Sequence, residues 1–141
     1  MSQYPSPVYT PGIQKPGQVQ AIAIMTLISG ILNILVALGW TVTAVFSIIP
    51  TVGISLLCVP VTILPGVLGI FELIYATNLM ASPPKPTRPN QAIAIMEIIC
   101  ILSGNPYPLV VGILALVFYN DPAVQAYFAQ LNASQAGPTP G

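Results

Sequence analysis

The sequence predicts an all-α integral membrane protein, with four transmembrane helices arranged as two tandem helical hairpins. Three observations lead there. The first is composition: of 141 residues, 55% are hydrophobic and only 4% charged, with a mean hydropathy of +0.84, whereas a soluble domain carries about a quarter charged residues. So little charge cannot cover a water-facing surface, and the apolar surface must meet lipid or other protein. The second is the succession of charge-poor apolar runs divided by proline-rich breaks. The third is a repeat: QAIAIM stands at 20–25 and returns letter for letter at 91–96.

Taken in chain order, residues 1–17 form a Pro-rich tail, read as disordered or polyproline-like and cytoplasmic. They lack the basic start, apolar stretch and small-residue cleavage site of a signal peptide. The membrane domain spans 18–128. Its first hairpin, 18–80, opens with the run from Val19 to Ile49, longer than the roughly 20 residues a span needs. The helix is expected to tilt, protrude or break, with Gly39-Trp40 the natural place for a change and Trp40 a candidate marker of a membrane interface. Pro50 ends the run. The second run, Val52 to Met80, contains Pro60 and Pro65 and is expected to be kinked. The loop 81–90, ASPPKPTRPN, follows. The second hairpin, 91–120, consists of Gln91–Ser103, a turn at Gly104–Pro108, and Leu109–Tyr119. Asp121-Pro122 opens a short amphipathic helix, 122–131, at the membrane surface or against the bundle. Residues 132–141 are a second polar tail.

The basic residues Lys15, Lys85 and Arg88 orient this arrangement. With four spans all three fall on one side, which the positive-inside rule makes the cytoplasm. The expected location is the cell membrane, multi-pass, with both termini cytoplasmic.

The repeat extends beyond the hexapeptide. Pro65, Gly69 and Ile70 align with Pro108, Gly112 and Ile113, so each half reads as one hairpin and both enter from the same side. The halves differ in length. The long first hairpin is expected to protrude on the outer side, while the short second one barely spans or is re-entrant. A polar Ser-Gly-Asn turn at lipid depth would need protein cover, which points to a homo-oligomer or a larger membrane complex. Gly30, Gly66, Gly69 and Gly112, with Ala37, Thr41 and Ala115, read as helix-packing positions.

Chemistry is sparse. Histidine is absent, which removes the commonest general base and metal ligand. Cys58 and Cys100 both lie in apolar runs and read as buried, inert thiols, without the spacing of a zinc site. No metal and no cofactor is expected, no catalytic set is present, and a net charge of zero gives nucleic-acid binding no basis. The sharpest features are Glu72 and Glu97, acids inside apolar runs and at similar depth in the cytoplasmic half. They align with Ala115 and Thr26, so the repeat imposes neither. Either they bind a proton or cation or serve assembly, or they are neutral or headgroup-reaching and hydrogen-bonded to Asn78, Thr26 or Asn33.

The runs SGNPYPLVVGILALVFYNDPAVQAYF and GVLGIFELIYATNLM resemble those of uncharacterised small bacterial four-span membrane proteins with Pro-rich tails, over most of residues 18–128. The resemblance implies topology and carries over no functional residue. The expected function is that of a non-enzymatic structural or accessory subunit of a membrane assembly. The alternatives are a small channel or transporter component using Glu72 and Glu97, and an anchor that recruits a partner through the Pro-rich tail.

Overall fold

Five α-helices follow one another in a computed structural model that describes residues 13–133: α1 (Gly17–Ser47), α2 (Val59–Met80), α3 (Gln91–Ile99), α4 (Pro106–Tyr119) and α5 (Pro122–Ala133). Short 3-10 helices at Ile54–Cys58 and Cys100–Ser103 lead into α2 and extend α3. The tail readings for 1–12 and 134–141 lie outside the described residues.

α1 does not break at Gly39-Trp40; its helix is continuous for 31 residues. Gly39 faces open space, with nothing within 4 Å of an added Cβ. An interior glycine on such a face costs about 1 kcal/mol of helix propensity and does not force a bend. Beyond it the hydroxyls of Thr41, Thr43 and Ser47 donate to the carbonyls four residues earlier. These bonds satisfy polar groups without a partner helix. Trp40 donates its indole N–H to the Ser103 carbonyl at 3.1 Å, which ties α1 to the end of the second hairpin.

The run that starts at Val52 opens as a turn and a 3-10 helix, and α-helix begins only at Val59. Pro60 therefore lies in the first turn of α2, where its missing N–H costs nothing. Of the two prolines expected to interrupt the span, only Pro65 stands inside the helix. The helix α4 also starts earlier than the expected run at Leu109. Asn105 caps α4 by accepting from the Tyr107 amide at 3.2 Å, and Pro106 occupies the first turn. Gly104 turns the chain there with φ 81, a left-handed conformation that favours glycine. Asp121 caps α5, accepting from the Ala123 amide at 2.8 Å.

α1 packs along α2 and α3 along α4, and α4 joins the two hairpins by lying against α1. The glycines set these approaches. An added Cβ at Gly69 would lie 2.7 Å from the Gly30 carbonyl, one at Gly66 would lie 3.0 Å from Ala37 Cβ, and one at Gly112 would lie 2.4 Å from the Ala94 carbonyl. Val124, Tyr127, Phe128 and Leu131 of α5 are buried in the same apolar core as Val19, Ile22 and Leu79. Of the two placements expected for this helix, it takes the one against the bundle.

α1 and α2 are long and apolar enough to cross a membrane. α4 and α5 qualify only together, as one path bent by 76°. The apolar helical stretch Gln91–Ser103 measures ~20 Å along its axis, short of a ~30 Å hydrocarbon core. The helices thus supply two to three candidate spans.

Candidate functional site

Ser29 and Asn33 stand four residues apart on α1 and therefore share one face. That face meets Glu72 of α2. The Ser29 hydroxyl donates to Glu72 Oε1 at 3.1 Å, and the Asn33 amide donates to Oε2 at 2.9 Å. The Asn33 carbonyl oxygen in turn accepts from Asn105 Nδ2 at 3.2 Å. One side chain thus links the acid of the first hairpin to the turn of the second. Asn33, and not Thr26 or Asn78, is the partner that the acid finds among those expected.

Glu97 of α3 lies beside Glu72, its carboxyl next to the other carboxyl. The structure brings together two acids 25 residues apart in sequence, in fully buried surroundings with Glu72 0% and Glu97 1% exposed. Their environments differ. Each oxygen of Glu72 has a donor, whereas neither oxygen of Glu97 has one. The same glycine device makes room for both stems. The Cβ of Glu72 faces Gly30, and the Cβ of Glu97 faces Gly112, each ~3 Å from where a methyl group would stand. Two acids with one set of donors is an unbalanced arrangement, because a buried charge needs a partner. The described cationic side chains are elsewhere. Lys15 donates to the Leu79 carbonyl, two turns beyond Glu72 on α2, and Lys85 and Arg88 lie in the loop after α2.

That loop is held by a second polar group. Tyr75 OH donates to the Arg88 carbonyl at 3.1 Å, and accepts from the Asn90 amide at 3.3 Å and from Tyr119 OH at 3.0 Å. Asn132 of α5 donates to the Thr87 carbonyl at 3.2 Å. Nothing in the sequence singled out Ser29, Tyr75 or Tyr119, and Asn105 stood out only as part of a polar turn that would need cover. The two tyrosines sit in apolar runs, where an aromatic ring reads as packing.

The cysteines need a correction. Cys100 is buried, but Cys58 is exposed; both are free. Cys58 follows the turn at the far end of the long hairpin, where packing is sparse. It lines a cavity of about 410 Å³ together with Trp40, Leu57, Val61, Leu102 and Ser103.

The chain matches no protein-family model, no curated protein and no solved structure.

Proposed function

We propose that the chain is a non-enzymatic, four-span protein of the cell membrane that serves as a structural or accessory subunit of a membrane assembly. The observation that carries this reading is the mismatch between its hairpins. α1 is ~46 Å long by its 31 residues, while the Gln91–Ser103 stretch is less than half of that. The long hairpin therefore rises past the turn of the short one. The step between them is apolar and uncovered: Phe46, Ile49 and Leu57 near the top of the long hairpin are strongly exposed, as is Leu102 beside the short turn. Lipid suits such side chains, but Gly104 is also exposed at that step, and a polar backbone turn at lipid depth calls for protein cover. A second copy or another chain supplies it. The positions of Lys15, Lys85 and Arg88 support a cytoplasmic loop end.

The test is the mass of the particle extracted from its native membrane in a mild detergent, with the co-purifying chains identified. A particle larger than one chain is expected. A particle of one chain with no co-purifying partner would overturn the reading.

A second reading, a channel or transporter component, is favoured by one observation: the donor-free carboxyl of Glu97 next to Glu72. Ionisable groups at membrane depth are costly and often mark ion or proton paths. Changing both acids to Gln should then alter flux in vesicles without loss of the folded protein, and unchanged flux would sink the idea.

A further inference from the structure

We propose that Glu72, Glu97 and Ser29 form a binding site for one small monovalent cation of sodium size, buried between α1, α2 and α3. The inference stands whether or not the chain joins an assembly, and whether or not the ion is carried across the membrane.

The argument begins with the oxygens. Both oxygens of Glu97 are buried and take no hydrogen bond. They lie beside a Glu72 carboxylate whose two oxygens accept one bond each and keep a further lone pair. Ser29 donates its proton to Glu72, which leaves its own lone pairs open. Three side chains thus offer five oxygens, and apart from the Glu72 carboxyl no polar group of the described chain reaches Glu97. The donors that complete the cluster, Asn33 and Asn105, are committed to Glu72 and to each other.

Two adjacent carboxyls need two positive charges: one is a proton held between Glu72 and Glu97, and the other is a monovalent cation from outside. Lys15 is bound to the Leu79 carbonyl and the other two basic residues lie in the loop, so no described cationic side chain reaches the acids. The donor set then selects the ion. Among the described residues no group of three or more His, Cys, Asp or Glu collects anywhere. All-oxygen ligation disfavours the soft and borderline metals. Magnesium keeps several waters, for which a site 0–1% exposed leaves no place, and calcium takes about six to eight oxygens, more than three side chains provide. A singly charged ion gives up its water more readily and is content with fewer ligands.

The full-length protein, purified in mild detergent with choline as the background cation, should bind ²²Na⁺ saturably, close to one ion per chain. Unlabelled sodium should displace the label and choline should not. Glu97→Gln should weaken binding at least tenfold while its circular dichroism and elution volume match those of the parent. Ser29→Ala should weaken it several-fold. A parallel measurement needs no variant: sodium should raise the thermal unfolding midpoint of the parent above that in choline at equal ionic strength. Absence of saturable binding to the parent overturns the proposal. So does a folded Glu97→Gln protein that binds as tightly as the parent, or displacement of the label by micromolar calcium. Binding without vesicle flux would keep the site and remove only the transport reading.

Discussion

Gly112 meets Ala94 backbone to backbone: a Cβ on the glycine would stand 2.4 Å from the Ala94 carbonyl oxygen and 3.0 Å from Glu97 Cβ. In the first hairpin the matching residue, Gly69, meets Gly30 instead. By the repeat, Ala94 corresponds to Ala23, seven residues before Gly30 and thus two helical turns away. The two halves share a sequence pattern but pack in registers offset by two turns. Glu72 comes to lie against Gly30 for that reason, and Glu97 lies against Gly112. Each acid stem occupies the groove that a glycine opens in the opposite helix.

Gly112→Ala should therefore destabilise the protein by about 1–3 kcal/mol, the usual cost of overpacking, because the obstacle is backbone and cannot rotate away. Gly39→Ala should be neutral or stabilising by up to ~1 kcal/mol, since nothing stands near an added methyl there. Chemical unfolding in a fixed detergent, followed by helical circular dichroism, compares the two. Equal losses would mean that α3 and α4 do not approach at Gly112.

Tyr75→Phe should cost more than Tyr119→Phe. The Tyr75 hydroxyl serves three partners, so its removal strands the Asn90 amide and the buried Tyr119 hydroxyl, at about 1–3 kcal/mol for a buried group left unpaired. Removing the Tyr119 hydroxyl takes away one donor that Tyr75 can lose, nearer 0.5–1.5 kcal/mol. Hydrogen exchange across residues 87–93 reads the difference directly. Faster exchange at Asn90 is expected in Tyr75→Phe and little change in Tyr119→Phe.

Some of this was legible in the chain and some was not. The hairpin order, the loop at 81–90 and the interest of Glu72 and Glu97 follow from charge inside apolar runs and from proline placement, which act locally. Gly39 misled because a glycine breaks a helix only where something else favours the break, and here it faces open space. Cys58 misled because an apolar neighbourhood in sequence is not burial, and among the described residues too little packs at this end of the long hairpin to cover it. Ser29 carried no signal, and Asn105 signalled only a polar turn in need of cover, not its bond to Asn33. Their roles depend on which face of α1 meets α2 and on where the short hairpin ends, and both are fixed by tertiary packing. The two-turn offset between the halves has the same origin and was hidden behind an exact repeat.

The exposed thiol allows the orientation to be tested. An outward-facing long hairpin predicts that Cys58 reacts with a membrane-impermeant maleimide added to intact cells. In a Cys58→Ser background, Ser82→Cys in the opposite loop should react only after the cells are opened. Cys100, buried in the core, should stay unlabelled in both until the protein is unfolded. The reverse pattern for Cys58 and Ser82→Cys would invert the proposed topology.

Asn33→Ala should be the most damaging of the polar substitutions in the bundle. Its amide donates to Glu72 and its carbonyl oxygen accepts from Asn105, so one truncation leaves both hairpins with an unpaired group. A hydrogen bond to a charged acceptor contributes about 1.5–3 kcal/mol, and an unsatisfied buried amide adds about 1–3 kcal/mol. Ser29→Ala removes only one donor from the same carboxylate and should cost less. The decisive comparison is a double-mutant cycle between Asn33→Ala and Asn105→Ala, read by unfolding in one detergent. Residues in one hydrogen-bonded network couple by roughly 0.5–3 kcal/mol, whereas independent sites add within about half a kcal/mol. Coupling in that range is expected, because either single variant already removes the one Asn33–Asn105 hydrogen bond. Strict additivity would mean that the turn of the short hairpin is not anchored to α1, and the two hairpins would then be joined by apolar packing alone.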